Sequence, residues 1–189
     1  MFGLIHLIFM LIKIAIQASV YASLTFIIIY VLSKTTEIVR IKKWMNRKLL
    51  TWWLTGLIYS IGLFFYAFSY WGNHGLGDSA RIPIGNDLAI HNIDGAWTYF
   101  YTDPGNSYNQ IQINEFALIE NKICAKKSKE NGNKFLVFDC ENSEMMEFEN
   151  QQQYEDYALK NNLPVTNKFK DFFFYYQEFW SGSRFYLLP

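Results

Sequence analysis

Two runs without a single charged residue govern what this chain can become. Ile14–Leu32 covers nineteen residues and Leu49–Trp71 twenty-three. A helix needs roughly 20 apolar residues to cross ~30 Å of hydrocarbon. Core helices of soluble proteins seldom run that far uncharged. The residues ahead of the first run are apolar apart from His6 and Lys13. They lack the basic start of a cleaved leader, and the run is too long for a leader's apolar core. The expectation is a retained two-helix transmembrane hairpin over residues 1–72, with spans at about 4–32 and 49–71.

Charge gives the hairpin a direction. The formal net charge of the chain is zero, but it divides unevenly. Residues 1–72 carry seven basic side chains against one acid, and residues 73–189 carry ten against sixteen. Six of the first seven lie between Lys34 and Lys48, in the connector 33–48. Basic connectors stay on the cytoplasmic side, so the rest of the chain is expected beyond the membrane, at a bacterial inner membrane. Trp52, Trp53, Tyr70 and Trp71 flank the second span as interfacial anchors do. With no basic excess, nucleic acid is not an expected partner. At 51% hydrophobic and 18% charged the chain is neither a disordered tail nor a coiled coil.

Polar residues inside the first span form a stripe. His6, Lys13, Gln17, Tyr21 and Thr25 are spaced by seven, four, four and four, so they share one helix face. The second span offers Thr51, Thr55, Tyr59 and Ser60, with Gly56 and Ser60 as a small-residue pair that lets helices approach. The stripe either seals the two helices together or meets a partner's membrane helices or lines a polar path.

Residues 73–86, with three glycines and one proline, read as an exposed linker. From residue 87 to 189 the pattern is that of an α+β domain. Leu88–Ile93 and Ala96–Thr102 alternate around Asp94-Gly95, a hairpin signal. Residues 111–119 read as strand, and Lys122–Ser128 and Lys134–Cys140 flank Asn131-Gly132. Met145–Phe148 adds a short strand. Gln151–Lys160 reads as a helix capped by Asn150, and Asn167–Trp180 as a second, capped by Thr166. Arg184–Leu188 reads as a closing strand. The expected architecture is an antiparallel β-meander of five to seven strands with both helices on one face.

Three side-chain groups carry the functional reading. An Asn131-Gly132-Asn133 turn would place Cys124 opposite Cys140, within disulfide reach. Phe172, Phe173, Tyr176 and Trp180 lie on the aromatic helix, as core or as a docking face. His74, Asp78, His91 and Asp94 are the polar groups an enzyme could use, though turn and linker polarity explains them equally well. Two cysteines without nearby histidines supply too few ligands for a metal. Gly77-Asp78-Ser79 resembles the nucleophile block of the GDS-type esterases over three residues, but no histidine follows His91 to complete that family's site. No catalytic residue, metal or cofactor is therefore expected. The expected function is non-enzymatic. The chain would anchor in the lipid bilayer and display a small acidic domain to a membrane or extracytoplasmic protein partner. It would serve as an accessory subunit of a membrane complex or as an immunity-type inhibitor. The alternatives are a membrane-bound enzyme and a small oligomeric channel or transporter component.

Overall fold

The computed structural model describes residues 2–36, 43–72, 79–103, 109–128 and 134–189, without the side chains of residues 2–4 and 6. The chain divides into two compact units. One comprises residues 1–72 together with 182–189, and the other comprises residues 73–181. The second unit is thus an insertion within the first.

The first unit is built on α1 (Phe2–Thr35) and α2 (Lys48–Ala67). At 1.5 Å per residue these are about 51 Å and about 30 Å long. Both are long and apolar enough to cross a membrane. They pack antiparallel. Small residues set the distance: Ala18 and Ala22 are buried, and a methyl placed on Gly56 would meet Ala22 Cβ at 3.7 Å. Hydroxyls bridge the seam, with Thr25 Oγ1 2.8 Å from Tyr59 Oη and Trp52 Nε1 donating to Ser23 Oγ at 3.1 Å. Outside this seam the apolar residues face outward, and Ala67 is the one buried residue of α2. The last element, α5 (Ser183–Leu187), belongs to this unit.

The second unit is a seven-stranded antiparallel sheet whose strand order is its sequence order. Its strands are β1 (Ser79–Gly85), β2 (Leu88–Ile93), β3 (Trp97–Tyr101), β4 (Gln110–Ile119), β5 (Lys122–Lys127), β6 (Phe135–Asp139) and β7 (Glu144–Phe148). The helices α3 (Gln151–Lys160) and α4 (Phe172–Trp180) follow. Mixed α+β architecture and the strand count agree with the sequence reading. Turns fix the meander. Asn86, Asp87, Asp94, Glu120 and Ser143 all take positive φ, as does Gly95, and Asn and Asp tolerate this left-handed region best among side-chain-bearing residues. The Ala96 amide closes the Asp94-Gly95 turn on the Ile93 carbonyl at 3.1 Å. The Asn131-Gly132 turn lies outside the described residues, as do His74 and Asp78.

The sheet is curled. Phe100 of β3 and Phe138 of β6 touch with ring centroids 5.2 Å apart. In a flat sheet strands three apart would be separated by roughly 14 Å. Asn86 Nδ2, at the β1–β2 turn, also reaches the Cys140 carbonyl at 3.0 Å. The concave side encloses Ile82, Leu88, Ile90, Phe100, Ile113, Phe116, Ile123, Leu136 and Phe138. Into it α4 inserts Phe172, Tyr175, Tyr176 and Phe179, the i, i+3, i+4, i+7 face of an aromatic helix. On the convex side α3 sets Tyr154 and Ala158 against Ala117, Cys124, Phe135 and Val137.

The two helices therefore lie on opposite faces, correcting the one-face expectation. The chain crosses between them through a gap in the sheet. β3 pairs with residues 110–113 of β4 only, a bulge follows, and Phe116 is left with a free side. Lys170 fills it, exchanging both backbone hydrogen bonds with Phe116 at 2.9 and 2.8 Å. Phe169 thus joins the convex cluster and Phe172 the concave one. This extended crossing is why the second helix starts at the Asp171 cap, which accepts from the Phe174 amide at 2.9 Å. Thr166 opens only a short 3-10 turn, and its hydroxyl bonds to Glu155 and Gln151. The Asn150 cap of α3 is as expected, accepting from the Gln153 amide at 3.0 Å.

Two further expectations change. Residues 79–85 are not linker but β1, which among the described residues pairs with β2 at the sheet edge, a place that tolerates Pro83. Arg184–Leu188 does not close the sheet. Gly182 turns the chain at φ 61 and a single helical turn follows.

Candidate functional site

The polar stripe of α1 is where side-chain chemistry concentrates in the first unit. Lys13, Gln17 and Tyr21 succeed one another at one-turn intervals, and each engages the terminal segment. Gln17 Nε2 donates to the carbonyls of Tyr186 at 3.0 Å and Leu188 at 2.8 Å. Tyr21 Oη donates to the Leu187 carbonyl at 2.5 Å. Lys13 Nζ stands 4.8 Å from the centre of the Phe185 ring, in cation–π geometry. Gln17 is buried, and its Oε1 has no hydrogen-bond partner among the described residues. One turn further, Thr25 turns to Tyr59 of α2, while the Tyr21 and Tyr59 rings lie 5.5 Å apart. The His6 side chain lies outside the described residues.

The stripe was legible from spacing alone, but its partner was not. Phe185–Leu188 is a short apolar run, which periodicity cannot separate into strand or helix. The only local signal was Gly182 between two serines, a break that detaches the run from the aromatic helix ahead of it.

The other expected site residues are used structurally. Phe172 is 1% exposed and Tyr176 stacks on it at 5.6 Å, both inside the concave core. Trp180 Nε1 donates to the Arg81 carbonyl of β1 at 2.9 Å. This removes most of the proposed aromatic docking face, leaving Phe173 exposed beside Phe174. The expected disulfide is also corrected. The β5–β6 register pairs Cys124 with Val137, three residues from Cys140. Cys124 faces the convex core and Cys140 the concave one, and both thiols are free and buried. Burial, helped by the Asp139 charge, pushes the Cys140 thiol up to about 11, and burial raises Cys124 as well, so both stay protonated and inert.

His91 and Asp94 sit at different places in the β2–β3 hairpin, the first within strand β2 and the second in the turn. His91 lies flat on Tyr99, with ring centroids 5.2 Å apart and an interplanar angle of 14°, and meets Tyr101 edge-on. Asp94 takes the left-handed turn position. The acids of residues 139–156 are partly neutralised across the strands. Lys122–Asp139, Lys127–Glu147 and Lys134–Glu149 are ion pairs at 2.8, 2.5 and 2.7 Å. Such exposed pairs contribute little stability but lower the negative field a partner would meet.

No known protein family, curated protein or solved structure matches the chain.

The Tyr99 phenol gives a pH prediction. Burial pushes it up to about 12, with the Tyr101 hydroxyl and charge adding to the shift. A raised folded pKa favours the neutral phenol. Its stabilising contribution is complete below the ordinary phenol pKa of ~10 and is lost as pH rises towards about 12. Urea midpoints of the full-length protein are expected to fall as pH rises from ~10 towards about 12, and Tyr99→Phe should lessen that fall. A midpoint with the same slope in the variant would assign the loss to other groups.

Proposed function

We propose that the chain is a membrane-anchored, non-enzymatic binding protein. In this reading α1 and α2 cross the bilayer, the basic connector 33–48 stays in the cytoplasm, and the curled sheet unit is displayed on the other side of a bacterial inner membrane. The observation that carries it is which way the apolar side chains point. Ile16, Leu49, Ile58 and Phe65 are each more than 60% exposed. The core helix of a soluble protein buries such residues, whereas lipid leaves them outward. The distribution of polar groups adds support. Among the described residues, Thr25 and Tyr59, and Trp52 and Ser23, bond within the hairpin, while Gln17 and Tyr21 bond the terminal segment.

The displayed unit would act by recognition, as an accessory subunit of a membrane complex or as an immunity-type inhibitor of an incoming protein. Two measurements test this. Protease added to intact spheroplasts is expected to digest the sheet unit and spare the connector. Affinity capture from a detergent extract at low salt is expected to retain a stoichiometric protein partner that salt releases. A sheet unit protected in spheroplasts but cut in inside-out vesicles would reverse the topology. Capture of the chain alone at low salt would remove the binding role.

A further inference from the structure

A helix leaves its last four carbonyls without donors of its own. In α5 the Leu188 amide takes the Arg184 carbonyl at 2.9 Å, and the carbonyls of residues 185–188 lie beyond the helix's reach. Three of those four are taken by side chains of another helix, Tyr186 and Leu188 by Gln17 and Leu187 by Tyr21. Water would satisfy such groups without dedicated donors. Hydrocarbon cannot, and an unpaired carbonyl there is heavily penalised. Meanwhile Phe185, Tyr186 and Leu187 turn their side chains outward, and each is exposed. A helix end that shows apolar side chains and has its carbonyls capped by a buried glutamine and a half-buried tyrosine is built for lipid.

We propose that Lys13, Gln17 and Tyr21 form an intramembrane binding site for the open end of a helix, and that its ligand is the chain's own terminal segment, Gly182–Pro189. The segment is a third membrane-embedded element. It returns the chain to the hairpin after residue 181. The inference rests on the membrane reading only for the medium around the latch, since the bonds themselves lie within one compact unit.

Labelling at the terminus tests it. Full-length protein carrying Pro189→Cys is reconstituted in phosphatidylcholine–phosphatidylglycerol liposomes and treated with polymer-linked maleimide. The native thiols of Cys124 and Cys140 are buried, so in the same gel they report whether the sheet unit stays folded. With the stripe intact, labelling of the new thiol is expected to be at least about tenfold slower than in denaturing detergent. Gln17→Met keeps the length and removes both donors, and Tyr21→Phe removes the third. Together they are expected to bring the rate to within about twofold of the denatured one while the native thiols stay protected. Equal rates with and without the stripe would overturn the latch. If the double variant exposes the native thiols, Tyr21→Phe alone decides, with about a threefold rise expected and no rise overturning the proposal. Protection that weakens on dilution of protein in lipid would assign the site to a second copy's terminus, which also overturns it. Flotation of the liposomes scores the membrane reading separately, and the labelling is read whether or not the protein floats.

Discussion

Leu54→Arg combined with Ile58→Arg is expected to destroy membrane integration while leaving the sheet unit able to fold. Both positions are exposed near the middle of α2, one turn apart. On a water-facing surface two such changes would cost under ~1 kcal/mol. At the centre of a bilayer each arginine costs roughly 2.5–3.5 kcal/mol, so the pair removes about 5–7 kcal/mol from insertion. The measurement is the fraction of protein that resists alkaline carbonate extraction. Wild type should remain in the pellet, and the double variant should be extracted or degraded. A variant that pellets and behaves as wild type would show that these exposed apolar faces do not meet lipid. The same substitutions thus separate two media that produce identical coordinates.

Tyr154→Ala is expected to destabilise the sheet unit more than Tyr154→Phe or Phe173→Ala. The ring is fully buried on the convex face, with centroids 5.6 Å from Phe135, 5.7 Å from Phe148 and 5.5 Å from Phe169. Its hydroxyl donates to the Pro164 carbonyl. Burial holds the phenol well above its usual range, so it is neutral at any working pH. Truncating a buried aromatic side chain costs about 3–5 kcal/mol, against a typical domain stability of about 5–15 kcal/mol. Tyr154→Phe keeps the packing but orphans the Pro164 carbonyl, for a loss of about 1–3 kcal/mol. Phe173→Ala, on the exposed flank of α4, is expected to stay within about 0.5 kcal/mol of wild type. Urea unfolding of the full chain in micelles, followed by circular dichroism, ranks the three. An alanine variant as stable as the phenylalanine one would mean that the convex core is not built around this ring.

Sequence patterns read well where one local cause dominates. Uncharged length marks α1 and α2. Period-two alternation with Asp94-Gly95 marks β2 and β3, and Asn150 marks the start of α3. Lys13, Gln17 and Tyr21 could be grouped because helical spacing is rigid. The failures share a different cause, namely partners far away in sequence. Pro83 and the glycines before it read as linker because β1 becomes a strand only by pairing with β2. The five residues from Asn167 to Asp171 read as helix because nothing local says that Phe116 has a vacant backbone side 54 positions before Lys170. Cys124 and Cys140 seemed to match because the register was counted from a turn. The strand pairing instead is offset by three, and that offset puts the thiols on different faces. The partner of the α1 stripe lies more than 160 residues away, beyond any periodicity.

The Lys170 crossing also sets an order of assembly. Each strand of the meander can zip onto the one made just before it, so most of the sheet forms as it emerges. The concave core cannot close on that schedule. Its aromatic plug lies past residue 170 and must pass through a slot that opens only once β3 and β4 have paired and diverged. Until the helix Phe172–Trp180 has been synthesised, the hollow of the sheet is an unroofed apolar cup, and a helper that shields such surfaces would be needed until that helix docks.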